Sequence, residues 1–293
     1  MKNINRAWSF VLIALVYAVA IASGVVSYLY IPIPYFWLKL LVADVIATVV
    51  TFVFSLIFRN ASVYDPYWSV QPIVIVIAYA IAAKQLGVLQ ILFLVAVLLW
   101  GVRLTANWAY TFYGMAYQDW RYTMFQHKTG KAYPIVNFVG IHLVPTLVVY
   151  GCVLPIAFSY EYASEITLTT WNTVGMAIFF AVSVLAVVLQ GTADCQMHKY
   201  RLNRTTPFIR VGLWKYSRHP NYLGEILMWW GVALSFVCVM PQRWYLIAGA
   251  VANTLLFLFV SIPLADGRQA RKEGFAEYKK QTRMLLPIYK RQK

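Results

Sequence analysis

Eight long apolar runs dominate this chain, at roughly 7–30, 39–58, 69–83, 86–110, 135–158, 171–193, 222–240 and 244–264. A hydrocarbon core about 30 Å thick takes about 20 such residues per helical crossing, so each run reads as a membrane span. In that solvent every backbone amide must find its partner within the element, which leaves helices for runs of this length. The third run is short and the last two form a tight hairpin around Pro241, so seven crossings, or a re-entrant pair, stand beside eight. The expected fold class is all-α, a polytopic transmembrane helical bundle of about 7–8 spans. With 61% of its 293 residues hydrophobic and 12% charged, the chain is excluded from the soluble globular and disordered classes.

The formal charge of +15 tests that reading through its distribution. Basic residues collect in alternate loops: Lys2 and Arg6; Arg59; Arg103, Arg121, Lys128 and Lys131; six from Lys199 to Arg218; and nine from Arg268 to Lys293. That places 22 of the 25 on one side and leaves Lys39, Lys84 and Arg243 opposite. The pattern follows the positive-inside rule and puts both termini in the cytoplasm. No nucleic acid is needed to explain the charge, while the basic face suits an anionic, phosphate-bearing ligand. Ala20-Ile21-Ala22 has the pattern of a signal-peptidase site, but the apolar run continues to Tyr30, as in a retained first span. No repeat, linker or low-complexity tract divides residues 1–293, which read as one integral membrane domain. Cys152, Cys195 and Cys238 suggest core packing rather than disulfides. His127, His142, His198 and His219 lack ligand spacing, so no metal is expected.

Ionisable residues within spans are expensive and mark functional candidates. Asp44 reads as an interior polar contact between helices. Asp65, in Asn60-Ala-Ser-Val-Tyr-Asp-Pro-Tyr-Trp-Ser69, stands before a helix-breaking proline among aromatic side chains. Desolvation there can keep a carboxyl protonated as a donor, and a helix cap in an aromatic belt is the alternative. Arg103 and Asn107 are four apart and share a helical face. Gln118, Asp119 and Arg121 follow, the last two too close in sequence to face each other on a continuous helix. Asp194 and Arg201, seven apart, share a face where the sixth span leaves the membrane, so a ligand with hydroxyls and phosphates can bridge them. Arg218 and His219 precede a helix opened by Pro220, whose first turn favours an anion. Asn221 and Glu225 share a face of that helix, and Gly224 allows close approach of backbone or ligand.

The run Gly212-Leu-Trp-Lys-Tyr-Ser-Arg-His-Pro-Asn-Tyr-Leu-Gly-Glu225, followed by Trp229-Trp230-Gly231, resembles the C-terminal domain of the steroid 5-alpha-reductase-like superfamily. The closing segment from Ala265 to Pro287 is similar as well, so residues 185–287 read as a steroid-reductase-like cofactor-binding portion. As a whole the chain looks like a poorly characterised multi-span subfamily. The Arg-His-Pro triplet is shared with isoprenylcysteine carboxyl methyltransferases and phospholipid N-methyltransferases, and looks closer to sterol double-bond reductases than to steroid 5-alpha-reductases proper. Pro263 stands where a reductase arginine is expected, and Asp266 where related proteins often have Glu.

The resemblance implies NADPH, held in a cavity on the basic, cytoplasmic side, since no glycine fingerprint of soluble dinucleotide folds is present. Arg201, Arg218, Arg210 and Arg271 would neutralise phosphates, with His219 and Gly224 beside them; Asp194 would accept from a hydroxyl or amide, and Asn221 would hold the carboxamide. Hydride would pass to a carbon–carbon double bond of a lipid or sterol-like substrate entering from the surrounding lipid. Tyr216, Tyr222, Glu225 and Asp65 are the candidate proton donors. The alternative is an S-adenosylmethionine-dependent methyltransferase acting on a lipid or isoprenyl substrate in nearly the same pocket. A non-catalytic lipid-binding protein is a third reading. The membrane expected is the endoplasmic reticulum in a eukaryote and the inner membrane in a bacterium.

Overall fold

The computed structural model describes residues 5–288. Lys2, Lys290, Arg291 and Lys293, counted above on the basic side, lie outside them. The described residues are helical and contain no strand; Ser217 and Arg283 form an isolated parallel bridge. In order come α1 Arg6–Tyr30, α2 Phe36–Phe58, α3 Tyr67–Ala82, α4 Val88–Thr111, α5 Trp120–Thr129, α6 Tyr133–Val136 and α7 Val144–Glu161. Then follow α8 Thr170–Leu202, α9 Pro220–Val239, α10 Ala248–Leu256, α11 Ile262–Gln269 and α12 Phe275–Gln281. A π-turn at Asn137–Leu143 joins α6 to α7, and another at Phe257–Ser261 joins α10 to α11, so each pair is one continuous rod.

Seven of these helical stretches are long and apolar enough to cross a membrane. The eighth, α3, has 16 residues and is therefore about 24 Å long. Side-chain contacts show which ends share a face. Arg6 at the start of α1 donates to the carbonyl of Ala109 near the end of α4 (2.8 Å). Asn60, just past α2, donates to the carbonyls of Met115 and Tyr117 (2.9 and 3.0 Å). Asn137 reaches Ser55 on α2, Asn107 on α4 meets His198 on α8 (2.8 Å), and the Arg268 guanidinium lies 4.5 Å from the centre of the Trp120 ring. The described chain therefore traverses the bundle eight times, with Arg6 and the closing segment on one face.

The short α3 is explained by what precedes it. Residues 61–64 are buried and form one 3-10 turn that descends into the bundle. The carbonyl of Val63 accepts from the hydroxyl of Tyr17, which lies 11 residues into α1, about 16 Å along that helix. Tyr64 meets Thr146 on α7 (2.8 Å), and Thr146 meets Thr48 on α2 (3.1 Å). Non-helical backbone survives at membrane depth where protein surrounds it or a cavity is lined by it. Here both conditions hold.

The most extensive helix contact is between α8 and α9, and two glycines seven residues apart permit it. A Cβ on Gly224 would stand 2.7 Å from the carbonyl oxygen of Ala186, and one on Gly231 would stand 2.6 Å from that of Phe179. The sequence left ligand or backbone open as the neighbour of Gly224; the neighbour is the α8 backbone. The main core lies beside this contact, where Trp100 of α4 packs edge-on against Trp229 of α9 with centroids 4.9 Å apart.

A candidate active site at the basic face

Polar side chains from α4, α8 and α9 form one buried chain. Glu225 is 4% exposed and accepts three N–H donors: Trp100 (2.8 Å), Gln190 (2.9 Å) and Trp229 (3.0 Å). The carbonyl oxygen of Gln190 accepts from Arg103, whose other terminal nitrogen pairs with Asp194 at 2.7 Å. One turn on, Asn107 meets His198. The shared face of Arg103 and Asn107 expected from their spacing is real, and it faces α8. Asp194 thus takes a cation from α4, while Arg201, exposed on its own helix, lies close enough for its charge to be felt. Arg103, Gln190, Trp100 and Trp229 were not among the residues the sequence assigned to the site. Arg103 carried the signal, a charge inside an apolar run.

A second cluster ties the closing segment to the start of α9. Arg218 and His219 are buried, and both bind Asp266 at the end of the α10–α11 rod (3.2 and 2.9 Å). Arg218 also donates to the carbonyl of Thr282 (3.0 Å), and its own amide donates to the carbonyl of Arg283 (3.0 Å). The guanidinium expected at a phosphate is therefore already ion-paired within the protein. Tyr222 stacks on His219 with centroids 5.2 Å apart and ring planes 7° from parallel. Its hydroxyl feels the charges of Arg121, Asp119 and Asp194, so it stands between this cluster and the next. Asn221 is half-buried beside it. Tyr216, Arg210 and Arg271 are exposed; Arg210 lies over the Phe208 ring (4.3 Å), and Lys215 lies near that of Tyr216 (5.7 Å).

The descending segment lines the polar cavity of this face, about 330 Å³, together with α4 and the 112–121 connection. Asp65, Asn107, Gln118, Asp119 and Arg121 supply its polar groups, and Trp68, Trp108, Tyr113 and Tyr117 much of its apolar wall. Asp119 caps α5, accepting from the Arg121 amide, and lies outside the helix. That is why the two residues pair at 2.8 Å although two positions apart on a continuous helix would have separated them. The Tyr122 hydroxyl donates to Asp65 at 2.7 Å. Burial pushes the Asp65 carboxyl up to about 6; Arg121 opposes that shift and the negative charge of Asp119 adds to it. Of the four proton-donor candidates from the sequence, Asp65 lines this cavity, Glu225 is enclosed by its three donors, Tyr222 lies between the clusters and Tyr216 faces outward.

A group of cations on this face makes no ion pair among the described residues. Arg204, Arg268 and Lys272 lie near enough together that the two arginines push the Lys272 ammonium down, after burial, and no ion pair involves Arg201, Arg204, Arg268 or Lys272. Arg268 connects this group to the cavity rim through Trp120.

These features define a polytopic helical membrane protein with a polar pocket opening on its basic face. The chain belongs to the family described as protein of unknown function DUF1295, matched over residues 51–282, a member of the steroid 5-alpha-reductase-like superfamily. An uncharacterized protein of Schizosaccharomyces pombe is 25% identical over 196 residues, covering 58% of this chain and 56% of that protein. The chain thus spans little more than half the length of the curated relative it matches. No solved structure matches it.

Proposed function

We propose that this protein is a membrane-embedded reductase that uses NADPH to reduce a carbon–carbon double bond in a lipid or sterol-like substrate, with its basic face in the cytoplasm. The observation that carries the reading is the Asp65–Tyr122 pair at the cavity. A carboxyl held near pH 6 and hydrogen-bonded by a phenol is a proton donor that can be recharged at neutral pH, and saturating a double bond requires one proton for each hydride.

The donor set fits the cofactor's charge. Arg204, Arg268 and Lys272 would supply an unpaired cationic group for phosphates with Arg201 as a further cation, and Asp194 and Asn221 would offer an acceptor and an amide. When bound, the dinucleotide supplies hydride. The chain's own part is to hold the phosphates at the rim, to fix Asp194 through Arg103, and to deliver the Asp65 proton from a cavity walled by tryptophan and tyrosine. A second reading has its own observation: five aromatic rings with Asp65 and Asp119 also suit a sulfonium cation, as in methyl transfer from S-adenosylmethionine.

Titrating the purified protein separately with NADPH and S-adenosylmethionine, read as thermal stabilisation, tests both. The reductase reading expects saturable NADPH binding that Arg268→Ala and Asn221→Ala weaken, and NADPH oxidation with an unsaturated lipid that Asp65→Asn abolishes without loss of binding. Binding of S-adenosylmethionine alone overturns it in favour of methyl transfer, and binding of neither by folded protein moves the reading to lipid binding without turnover.

A further inference from the structure

Asn107 and His198 form a rung between α4 and α8, and the atoms that meet there settle which way the amide faces. His198 Nε2 meets Asn107 Oδ1 at 2.8 Å. An amide oxygen only accepts, so Nε2 carries the hydrogen and Oδ1 is committed to α8. Arg103 and Asp194 pair four residues earlier on each helix, and two rungs one turn apart fix the register of α4 against α8. The Tyr110 ring stands edge-on to the imidazole with centroids 4.5 Å apart and limits its rotation. The amide cannot turn over without losing this bond, so Nδ2 is held away from α8. It has no partner among the described residues and is not sealed in protein, and Asn107 lines the polar cavity.

The acceptors of that cavity are largely spent. Both Asp119 oxygens accept from the Arg121 side chain (2.8 and 3.2 Å), and the Gln118 carbonyl oxygen accepts from the Ala61 amide (3.0 Å). One Asp65 oxygen accepts from Tyr122, and the other carries the proton in the reductase reading. What remains unspent is donors: Asn107 Nδ2, and Arg121 Nη1, which makes no bond among the described residues. Asp119 already balances the charge of Arg121, so the cavity offers N–H groups without net positive charge. Such a surface is complementary to a ligand atom that accepts a hydrogen bond and is itself uncharged.

We propose that Asn107 is a ligand-binding residue of this cavity, its Nδ2 donating to an uncharged oxygen on the head of the lipid substrate, and that His198 is the positioning residue that keeps the nitrogen facing the cavity. The two ends of an amide are nearly the same size, so without His198 either could face the ligand, and the cavity would lose its preference for acceptors. The proposal deepens the reductase reading by naming what the substrate carries besides its double bond, and it rests on that reading for the assignment of this cavity to the lipid.

The test is thermal unfolding of the full-length protein in detergent, without cofactor, titrated separately with methyl tridecyl ketone, pentadecane, pentadecylamine and pentadecanoate. Saturable stabilisation by the ketone and none by the alkane is the expected result. Asn107→Leu keeps the branched shape and should weaken ketone binding about tenfold. Asn107→Asp keeps the bond to His198 but turns an oxygen toward the cavity, so the preference should pass from the ketone to the amine. His198→Phe should lose part of that tenfold, and His198→Gln, whose amide nitrogen can donate in place of Nε2, should restore it. A rung with a structural role alone would lower the Tm of these variants and leave the order of the four compounds unchanged, which overturns the proposal. Equal stabilisation of the wild type by ketone and alkane overturns it too, and stronger stabilisation by the amine or the carboxylate overturns the choice of an uncharged acceptor. Weaker NADPH binding by Asn107→Leu with ketone binding intact gives the oxygen to the cofactor and overturns its assignment to the lipid. Failure of the wild type to bind NADPH while the ketone pattern holds sinks the reductase reading and not the role of Asn107. If Asn107→Leu fails to fold, Asn107→Asp and the two His198 variants decide the question.

Discussion

Replacing Glu225 by Gln tests whether this carboxylate is an anchor or an acid. Three N–H donors, from Trp100, Gln190 and Trp229, converge on its two oxygens. A carboxylate accepts all three, whereas glutamine brings one oxygen and one NH2 group. With its oxygen toward Trp100 and Gln190, the new amide points at the Trp229 indole nitrogen, donor against donor. Three hydrogen bonds to a charged group, each about 1.5–3 kcal/mol, become two neutral ones of about 1 kcal/mol with one buried donor stranded at about 1–3 kcal/mol. Removing a buried charge returns several kcal/mol of desolvation, so the net loss is about 1–3 kcal/mol. Thermal unfolding in detergent, followed by tryptophan fluorescence because two reporters touch the site, should show a lower Tm for Glu225→Gln with unchanged response to ligand at the cavity. A Tm equal to or above that of wild type would refute the argument. The wild-type group would then be a neutral acid with a proton to give.

Asp65 gives a pH signature. The folded chain holds this proton up to about pH 6, whereas an unfolded aspartate releases it near 3.8, so stability falls as pH rises between those values and stays lower above them. Thermal scans across that window should show a shallower slope for Asp65→Asn and a higher Tm than wild type at neutral pH; an unchanged slope assigns the window to another group. Gly231→Ala forces a methyl to 2.6 Å from the Phe179 carbonyl and should cost about 1–3 kcal/mol, while Gly267→Ala, with open space around it, should cost nothing by the same unfolding assay. Asp266→Asn removes the counter-charge of buried Arg218 but leaves its carbonyl bonds, for a loss of about 3 kcal/mol. Limited proteolysis should then cut residues 270–288 faster than in wild type, and equal rates would mean that the ion pair does not hold the segment.

The spans were legible because a run of some twenty apolar residues allows few alternatives, and most of their ends agree with the helices to within a few residues, although α8 continues to Leu202, nine residues past the end read for the sixth run. The face shared by Arg103 and Asn107 was legible for the same reason: a helix fixes which residues are neighbours. What escaped was placement by tertiary contact. Ala61-Ser-Val-Tyr64 is short and of mixed polarity, and nothing local says that it descends into the bundle and sets Asp65 at a cavity. Asp119 and Arg121 pair because a cap interrupts the helix between their backbones. Gln190, Trp100 and Trp229 are uncharged and sit in apolar runs, so only the carboxylate they surround reveals them. Arg218 and His219 stood out, but their partner lies 47–48 residues on, a distance that no periodicity spans. The two π-turns were not foreseen either, because one extra residue in a turn leaves no mark on an apolar run.

The depth at which α3 begins bears on how the chain enters a bilayer. Its 16 residues include Gln71 and Pro72 and follow Asp65, so the segment alone is too short and too polar to partition as a helix when it leaves the ribosome. α4 follows after a five-residue connection and is apolar over its first three turns apart from Gln90, so the two are expected to insert together as a hairpin, with α4 supplying the driving force. A nascent chain that stops at Ala82 then holds only two spans, and Asp65 reaches its buried position only once α4 has been made.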